Sequence, residues 1–300
     1  MYYLSHWTPA WPVLAIWVVV AGLHVAGVAR SWRSALPAGR AWAFQGGLLV
    51  ILVAIVSPLA YWSVLYIWVR SLQDLLVAVV APALIVLGQP GPALLAALGR
   101  PSHGIDRATD SPPRPPWWLR QPVAVAVVFN LVWLGWHFPG PYDLAHTNAA
   151  VRYLEFATYL AAGTGFWLQL FGSAHRAPTA LPMRRLALLV GTVVADTILG
   201  MVLVFGSGVL YPAYRGAAHH ALSVVADQQV GGAVLWMGIL PPLVIASVAL
   251  LLRWLEHDDA DELSRELDRL TRQPAAGRPG WASSGRGAWL ARPDDRRPTI

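Results

Sequence analysis

The sequence of 300 residues contains no cysteine and no lysine, and only 13% of its residues are charged. The absence of cysteine excludes disulfides, thiolate metal sites and cysteine nucleophiles. In soluble domains about a quarter of the residues are charged, whereas this chain is 56% hydrophobic and has a mean hydropathy of +0.49. The composition therefore predicts an all-α integral membrane protein whose surface contacts the lipid bilayer.

The sequence also lacks the motifs of soluble enzymes and of nucleic-acid-binding proteins. It has no Gly-rich phosphate loop after a strand, no GxSxG elbow and no HExxH pair, so we do not expect an enzyme. Its formal net charge of +6 comes from arginines in connections and in the tail. Because these arginines do not form a compact basic face, we expect no nucleic-acid partner.

What the chain does contain is seven apolar runs, most of them close to the ~20 residues that a helix needs to cross a bilayer. We therefore expect a bundle of seven transmembrane helices. The fourth run is the shortest. The runs cover approximately residues 11–29, 42–60, 64–87, 122–136, 151–171, 186–205 and 230–253.

The arginines indicate how this bundle is oriented. Nineteen of the 22 lie in the connections 30–41, 88–121 and 172–185 and in the tail that begins at Arg253. Because positively charged loops stay in the cytoplasm, the N-terminus is predicted outside and the C-terminus inside the cell. An odd number of spans requires the same arrangement.

The composition changes twice along the chain. Residues 1–255 form the predicted seven-helix membrane domain. Residues 256–270 are predicted to form a short acidic helix, which repulsion from anionic headgroups would keep in the cytoplasm. Residues 271–300 are rich in Arg, Pro and Gly, so we expect a disordered tail.

The predicted spans contain charged residues, which are costly in hydrocarbon and normally face a partner inside the bundle. Arg70 and Asp74 are four residues apart and share one face of the third span. Arg152 and Glu155 share a face at the start of the fifth. In one interpretation each pair closes locally and only fixes the helix register. In the other, an intramembrane polar cluster forms from Arg70, Asp74, Arg152, Glu155, Asp196, Asp227 and Gln228.

Histidines offer a weaker case for a metal site. Outer imidazoles could bind copper or zinc. No two of them have the i, i+4 spacing that places two ligands on one helix face, so we assign no metal ligand and favour interfacial or solvated histidines. The weak candidates are His137, His146, His219 and His220.

Residues 57–90, 136–167 and 210–237 resemble the CtaG-type family of cytochrome c oxidase assembly factors, which is associated with bacterial caa-type oxidases. The more specific parts are APALIVLGQP (residues 81–90) and DQQVGG followed by Trp236. The resemblance implies a seven-helix protein of the bacterial plasma membrane that helps to mature a copper-containing oxidase. Its implied partners are oxidase subunits or another assembly protein, and copper is the implied cofactor.

The resemblance also implies an HxxxH pair in the third span and an HxxEH segment in the fifth. This chain has Arg70 with Asp74 at the first and Arg152 with Phe156 at the second, and it keeps only Glu155. Arginine does not ligate metals in proteins, and its charge repels a cation. We therefore expect an assembly factor that acts by protein–protein contact.

Two alternatives stay open at this point. The outer histidines could handle copper at a different place from the family's histidine pairs. The protein could also be a small polytopic transporter or proton-coupled carrier that uses its intramembrane charges, although we find no inverted repeat in the sequence.

Overall fold

The computed structural model describes residues 10–30, 38–99, 121–171, 183–216 and 222–272, and within these ranges it is helical without strands. The predicted all-α class is therefore confirmed. A boundary between two compact units falls between Trp254 and Leu255. Most of the predicted tail, residues 273–300, lies outside the described residues.

The helices differ widely in length, and α4 contains a π-helical turn at Leu76–Val80. A short 3₁₀ helix at Pro212–Gly216 lies between the last two α-helices. The α-helices are α1 (Trp11–Arg30), α2 (Ala38–Val56), α3 (Pro58–Trp62), α4 (Ile67–Gly88), α5 (Gly91–Ala97), α6 (Pro122–Trp136), α7 (Pro139–Thr147), α8 (Ala149–Phe171), α9 (Met183–Phe205) and α10 (Val224–Arg272).

Five of the described helices, α1, α2, α4, α9 and α10, are long and apolar enough to cross a membrane. A sixth span is added if α6 and α7, which meet at a bend of 68°, are counted together. The helix α8 has 23 residues, but it is less apolar because it includes Arg152, Glu155 and Gln169. The described helices thus fit a multi-pass membrane protein with five to six such spans, fewer than the seven predicted.

The second predicted span ends earlier than the sequence suggested. Helix α2 stops at Val56, and a new short helix begins at Pro58. The side chain of Ser57 accepts a hydrogen bond from the backbone N–H of Leu59 at 3.1 Å. A serine N-cap followed by proline in the first helical position starts a new helix, so the apolar run is divided here.

A proline in α4 explains the irregular turn of this helix. Pro82 has no N–H, so the carbonyl of Ala78 cannot accept the usual helical hydrogen bond. The π-helical turn Leu76–Val80 lies directly before this proline. The oxygen of Ala78 packs against Gly163 of α8, where a Cβ atom would collide with it. Gly163 therefore allows α4 and α8 to approach closely.

Contacts along α4 fix the direction of two of its neighbours. Arg70 pairs with Glu155, and two turns later Ala78 packs against Gly163, so α4 and α8 are parallel. Helix α10 is parallel to α4 as well. Its Asp227 contacts the first turn of α4, and its Gly238 packs against Leu75 further along.

Two further long helices, α6 and α9, run in the opposite direction to these three. Helix α9 is antiparallel to α10, since Gly200 packs against Trp236 while Gly232 packs against Leu203. Helix α6 is parallel to α9: the side chains of residues 130 and 133 bond to those of residues 192 and 196, in that order.

At the start of the chain, α2 is antiparallel to both of its neighbours. Gln45 bonds to His24 of α1, and Trp17 of α1 donates to the carbonyl of Leu48 at 2.8 Å. On its other side, residues 44 and 54 of α2 meet residues 88 and 73 of α4. The long helices α1, α2, α4, α6, α8, α9 and α10 therefore alternate in direction along the chain.

The close contact at Gly163 can be tested by adding one methyl group. We expect Gly163→Ala to destabilise the protein by roughly 1–3 kcal/mol, because the new Cβ would overlap a backbone oxygen that cannot move aside. The matched control is Gly191→Ala, since no described atom lies within 4 Å of a Cβ built on Gly191. This variant should be as stable as the wild type or up to about 1 kcal/mol more stable. Denaturant unfolding in detergent micelles measures both, and equal stability of the two variants would contradict the close contact.

Candidate functional site

The candidate site is built around Arg70 in the first turn of α4, a guanidinium that is only 1% exposed. Its Nε atom lies 3.2 Å from Oδ1 of Asp74 on the same helix, and its Nη2 atom donates a hydrogen bond to Oε2 of Glu155 on α8. Both carboxylates are fully buried. A buried charge is tolerated when it is paired. The pair of Arg70 and Glu155 therefore joins α4 to α8 and gives each helix a partner for its buried charge.

Aromatic rings cover the faces of this guanidinium. The Cζ atom of Arg70 lies 5.6 Å from the ring centre of Tyr142 in α7 and 5.4 Å from that of Phe156 in α8. Both distances are within the range of a cation–π interaction. Arg70 is thus enclosed by two carboxylates and two rings, and we call Arg70, Asp74, Glu155, His137 and Tyr142 the Arg70 cluster.

His137, at the bend between α6 and α7, brings an imidazole to the Arg70 cluster. Its Nδ1 atom is 2.7 Å from the carbonyl oxygen of Trp133, which requires a proton on Nδ1. A neutral ring therefore presents its lone pair on Nε2, which lies 3.9 Å from Oδ2 of Asp74. The hydroxyl of Tyr159 lies 3.4 Å from Nδ1.

Tyrosines close the Arg70 cluster at the end where α4 begins. The rings of Tyr142 and Tyr211 stack with their centres 4.0 Å apart. The hydroxyl of Tyr211 donates to the carbonyl of His137 at 3.0 Å, and the hydroxyl of Tyr214 donates to the carbonyl of Ser63 at 2.9 Å. We did not predict a role for these tyrosines, because the sequence places them in connections between the expected spans.

Asp227 and Gln228 use their side chains to hold backbone groups of other segments. The carboxylate of Asp227 accepts hydrogen bonds from the backbone N–H groups of Ile67 at 2.7 Å and Trp68 at 3.2 Å. Asp227 therefore caps the N-terminus of α4 from a distant part of the chain, where negative charge is also favoured by the helix dipole. The amide of Gln228 binds the backbone of Leu210 at 2.8 Å and of Gly208 at 3.2 Å.

Arg152 does not form the local pair with Glu155 that the helical spacing allowed. Its guanidinium donates to the carbonyls of Ala145 and His146, each at 3.1 Å, at the C-terminal end of α7. Glu155 instead pairs with α4. Arg152 and Glu155 therefore each bind another helix instead of each other. Arg70 binds both Asp74 on its own helix and Glu155 on α8.

Asp196 lies in α9 and is fully buried, but it is not in direct contact with Arg70. Its Oδ1 atom accepts a hydrogen bond from the indole N–H of Trp133 at 3.2 Å. One turn away, the amide of Asn130 donates to Thr192 at 3.1 Å. Trp133 connects the two polar regions, because its backbone carbonyl binds His137.

The predicted histidine candidates do not form a shared site within the described part of the chain. His137 belongs to the Arg70 cluster, whereas the ring of His146 packs 4.2 Å from that of Tyr214. His219 and His220 lie outside the described residues. In the ranges that are described, no three histidine, aspartate or glutamate side chains come together in an arrangement suited to a metal ion.

Helices, burial and ionic pairs thus define a multi-pass membrane protein with a buried polar centre. The family model for the cytochrome c oxidase caa3 assembly factor matches residues 22–257. Since this is well over half of the chain, the protein belongs to this family of assembly factors, which is not a family of catalytic enzymes. The resemblance carried by the three sequence segments is confirmed. No curated protein and no solved structure matches the chain.

The contact between α4 and α8 predicts a strong coupling between Arg70 and Glu155. We expect Arg70→Met to cost roughly 3–5 kcal/mol, because it leaves two buried carboxylates without their cation, and Glu155→Met to cost less, because Arg70 keeps Asp74. The double variant should cost less than the sum by roughly 0.5–3 kcal/mol. Unfolding measurements on the four proteins of this cycle give the coupling energy.

The matched control is Asp143→Asn, which changes a half-buried carboxylate on α7 outside the Arg70 cluster. We expect it to change stability by less than about 1 kcal/mol. Additive effects of the two main substitutions would show that the ion pair does not link the two helices.

Proposed function

We propose that this assembly factor acts in the bacterial plasma membrane by contact with oxidase subunits or with another assembly protein, and that the Arg70 cluster does not hold copper. The observation that supports this most directly is the pairing of one guanidinium with two buried carboxylates. Arg70 and Asp74 stand at two of the positions where the family resemblance implies histidines, and Glu155 is the glutamate that it implies. A fixed cation therefore stands where a metal ion would need neutral ligands.

The residues at these positions do not fit a copper ion. The guanidinium of Arg70 offers no lone pair to a metal. The oxygens of Asp74 and Glu155 that face it are already engaged, and copper in proteins favours imidazole or sulfur ligands over carboxylates. His137 supplies one imidazole nitrogen near Asp74, but a cation bound there would lie close to the positive charge of Arg70.

We further propose that the chain crosses the membrane seven times, with the N-terminus outside and the C-terminus in the cytoplasm. The alternating directions of α1, α2, α4, α6, α8, α9 and α10 support this proposal. Helix α8 has 23 residues, about 34 Å at 1.5 Å per residue, which is enough to span the hydrocarbon core. Its buried carboxylate, Glu155, does not need to face lipid, because it pairs with Arg70 inside the bundle.

This topology can be tested with single cysteines, since the natural sequence contains none. Thr147→Cys should react with a membrane-impermeant maleimide in intact cells. Leu98→Cys and Ser264→Cys should react only after the membrane is permeabilised; all three positions are exposed. If α8 does not cross the membrane, Ser264→Cys would react together with Thr147→Cys. The reverse pattern at all three positions would contradict the orientation.

The mode of action can be tested in a strain that lacks the gene. We expect a severalfold loss of assembled oxidase and of its subunits, restored by re-expression of the protein but not by added copper. Full rescue by copper salts alone would contradict action by protein contact. Unchanged oxidase activity and normal copper loading in the deletion strain would contradict a role in this assembly pathway altogether.

A further inference from the structure

The Arg70 cluster contains more polar atoms than its own contacts can satisfy. Apart from Nε of Arg70 and Oδ1 of Asp74, which face each other at 3.2 Å, five of them are buried and have no hydrogen-bond partner among the described residues. They are Nη1 of Arg70, Oδ2 of Asp74, Oε1 of Glu155, Nε2 of His137 and the hydroxyl of Tyr142. The side chains that carry these atoms are at most 4% exposed.

These atoms belong to one place in the fold, since the ion pairs and ring contacts of the Arg70 cluster connect all five side chains. Asp74 and Glu155 both pair with Arg70, and Nε2 of His137 lies 3.9 Å from Oδ2 of Asp74. The ring of Tyr142 is 5.9 Å from that of His137. Buried polar groups in proteins are almost always hydrogen-bonded, so five unpaired atoms at one place indicate a bound partner.

The chemistry of the five atoms restricts what this partner can be. The oxygens of Asp74 and Glu155 and the Nε2 lone pair of a neutral His137 accept hydrogen bonds, whereas Arg70 and Tyr142 can donate. An anion could not donate to the three acceptors, and a metal cation could not accept from the two donors. Water does both.

We propose that the Arg70 cluster is a binding site for internal water molecules, which join its ion pairs into one hydrogen-bonded network. A buried water makes about three hydrogen bonds, so roughly two molecules would satisfy the five atoms. A single water beside the 3.9 Å gap between His137 and Asp74 can bond to both atoms, although they are too far apart to bond directly. The inference does not depend on the role in oxidase assembly.

Radiolytic labelling of the wild-type protein tests this site, because an X-ray pulse generates hydroxyl radicals wherever water is present. Four phenylalanines provide matched reporters of equal intrinsic reactivity. Phe156 packs on Arg70 and is 4% exposed, while Phe129 and Phe166, each 2% exposed, stack on one another in the apolar core. Phe138 is 64% exposed and reports on bulk water.

We expect Phe156 to be oxidised severalfold faster than Phe129 and Phe166, as quantified by mass spectrometry of the digested protein. A scavenger that removes radicals from bulk solvent should suppress the labelling of Phe138 and leave that of Phe156 unchanged. Labelling of Phe156 as slow as that of Phe129 would overturn the proposal. Equal suppression of Phe156 and Phe138 by the scavenger would also overturn it, since the radicals would then come from outside.

Discussion

The structure depends on keeping one guanidinium away from hydrocarbon. A charged side chain near the bilayer centre costs at least about 2.5 kcal/mol, and an unpaired buried charge in a protein costs more. Arg70 avoids this cost through Asp74 on its own helix and through Glu155, which α8 brings to it. The ion pair and the close contact at Gly163 are separated by the same number of residues on both helices, so a single register satisfies both. Gly163 allows α4 and α8 to approach closely, and the ion pair between Arg70 and Glu155 stabilises this approach.

The few other charges of the membrane unit follow a related rule, since several of them satisfy the open end of another helix. Asp227 accepts from the first N–H groups of α4. Arg30, Arg152 and Arg185 donate to carbonyls in the last turns of α5, α7 and α8, respectively. In each case the sign of the charge agrees with the helix dipole. Where water is scarce, the backbone groups at a helix end need another hydrogen-bond partner. A charged side chain from a distant segment satisfies them and is itself paired in the same contact.

The sequence predicted the helices better than it predicted the contacts between them. Of the Arg70 cluster, it singled out Arg70, Asp74 and Glu155 as polar residues and His137 only as a weak metal candidate, and it gave Tyr142 no role. Apolar length is a property of one segment, so the long helices were recognisable individually. The pairing of Arg70 with Glu155 depends on the register between two helices, which the spacing within either helix does not contain. For the same reason the spacing left a local pair of Arg152 with Glu155 open as one interpretation, whereas the guanidinium of Arg152 binds the end of α7. Pro82 is visible in the sequence, but the π-helical turn before it is not.

The charge arrangement also bears on how a member of an assembly-factor family could work without the implied histidine pairs. A metal ion can arrive and leave, but the guanidinium of Arg70 is covalently attached to α4 and holds Asp74 and Glu155 permanently. Its position cannot be used for exchange, so its contribution is to hold α4, α7 and α8 together. Three helices held together in this way present their outer faces to the bilayer and to other membrane proteins. Under the proposed function, a partner is recognised by the outer surface of the bundle rather than by a cargo held in the centre.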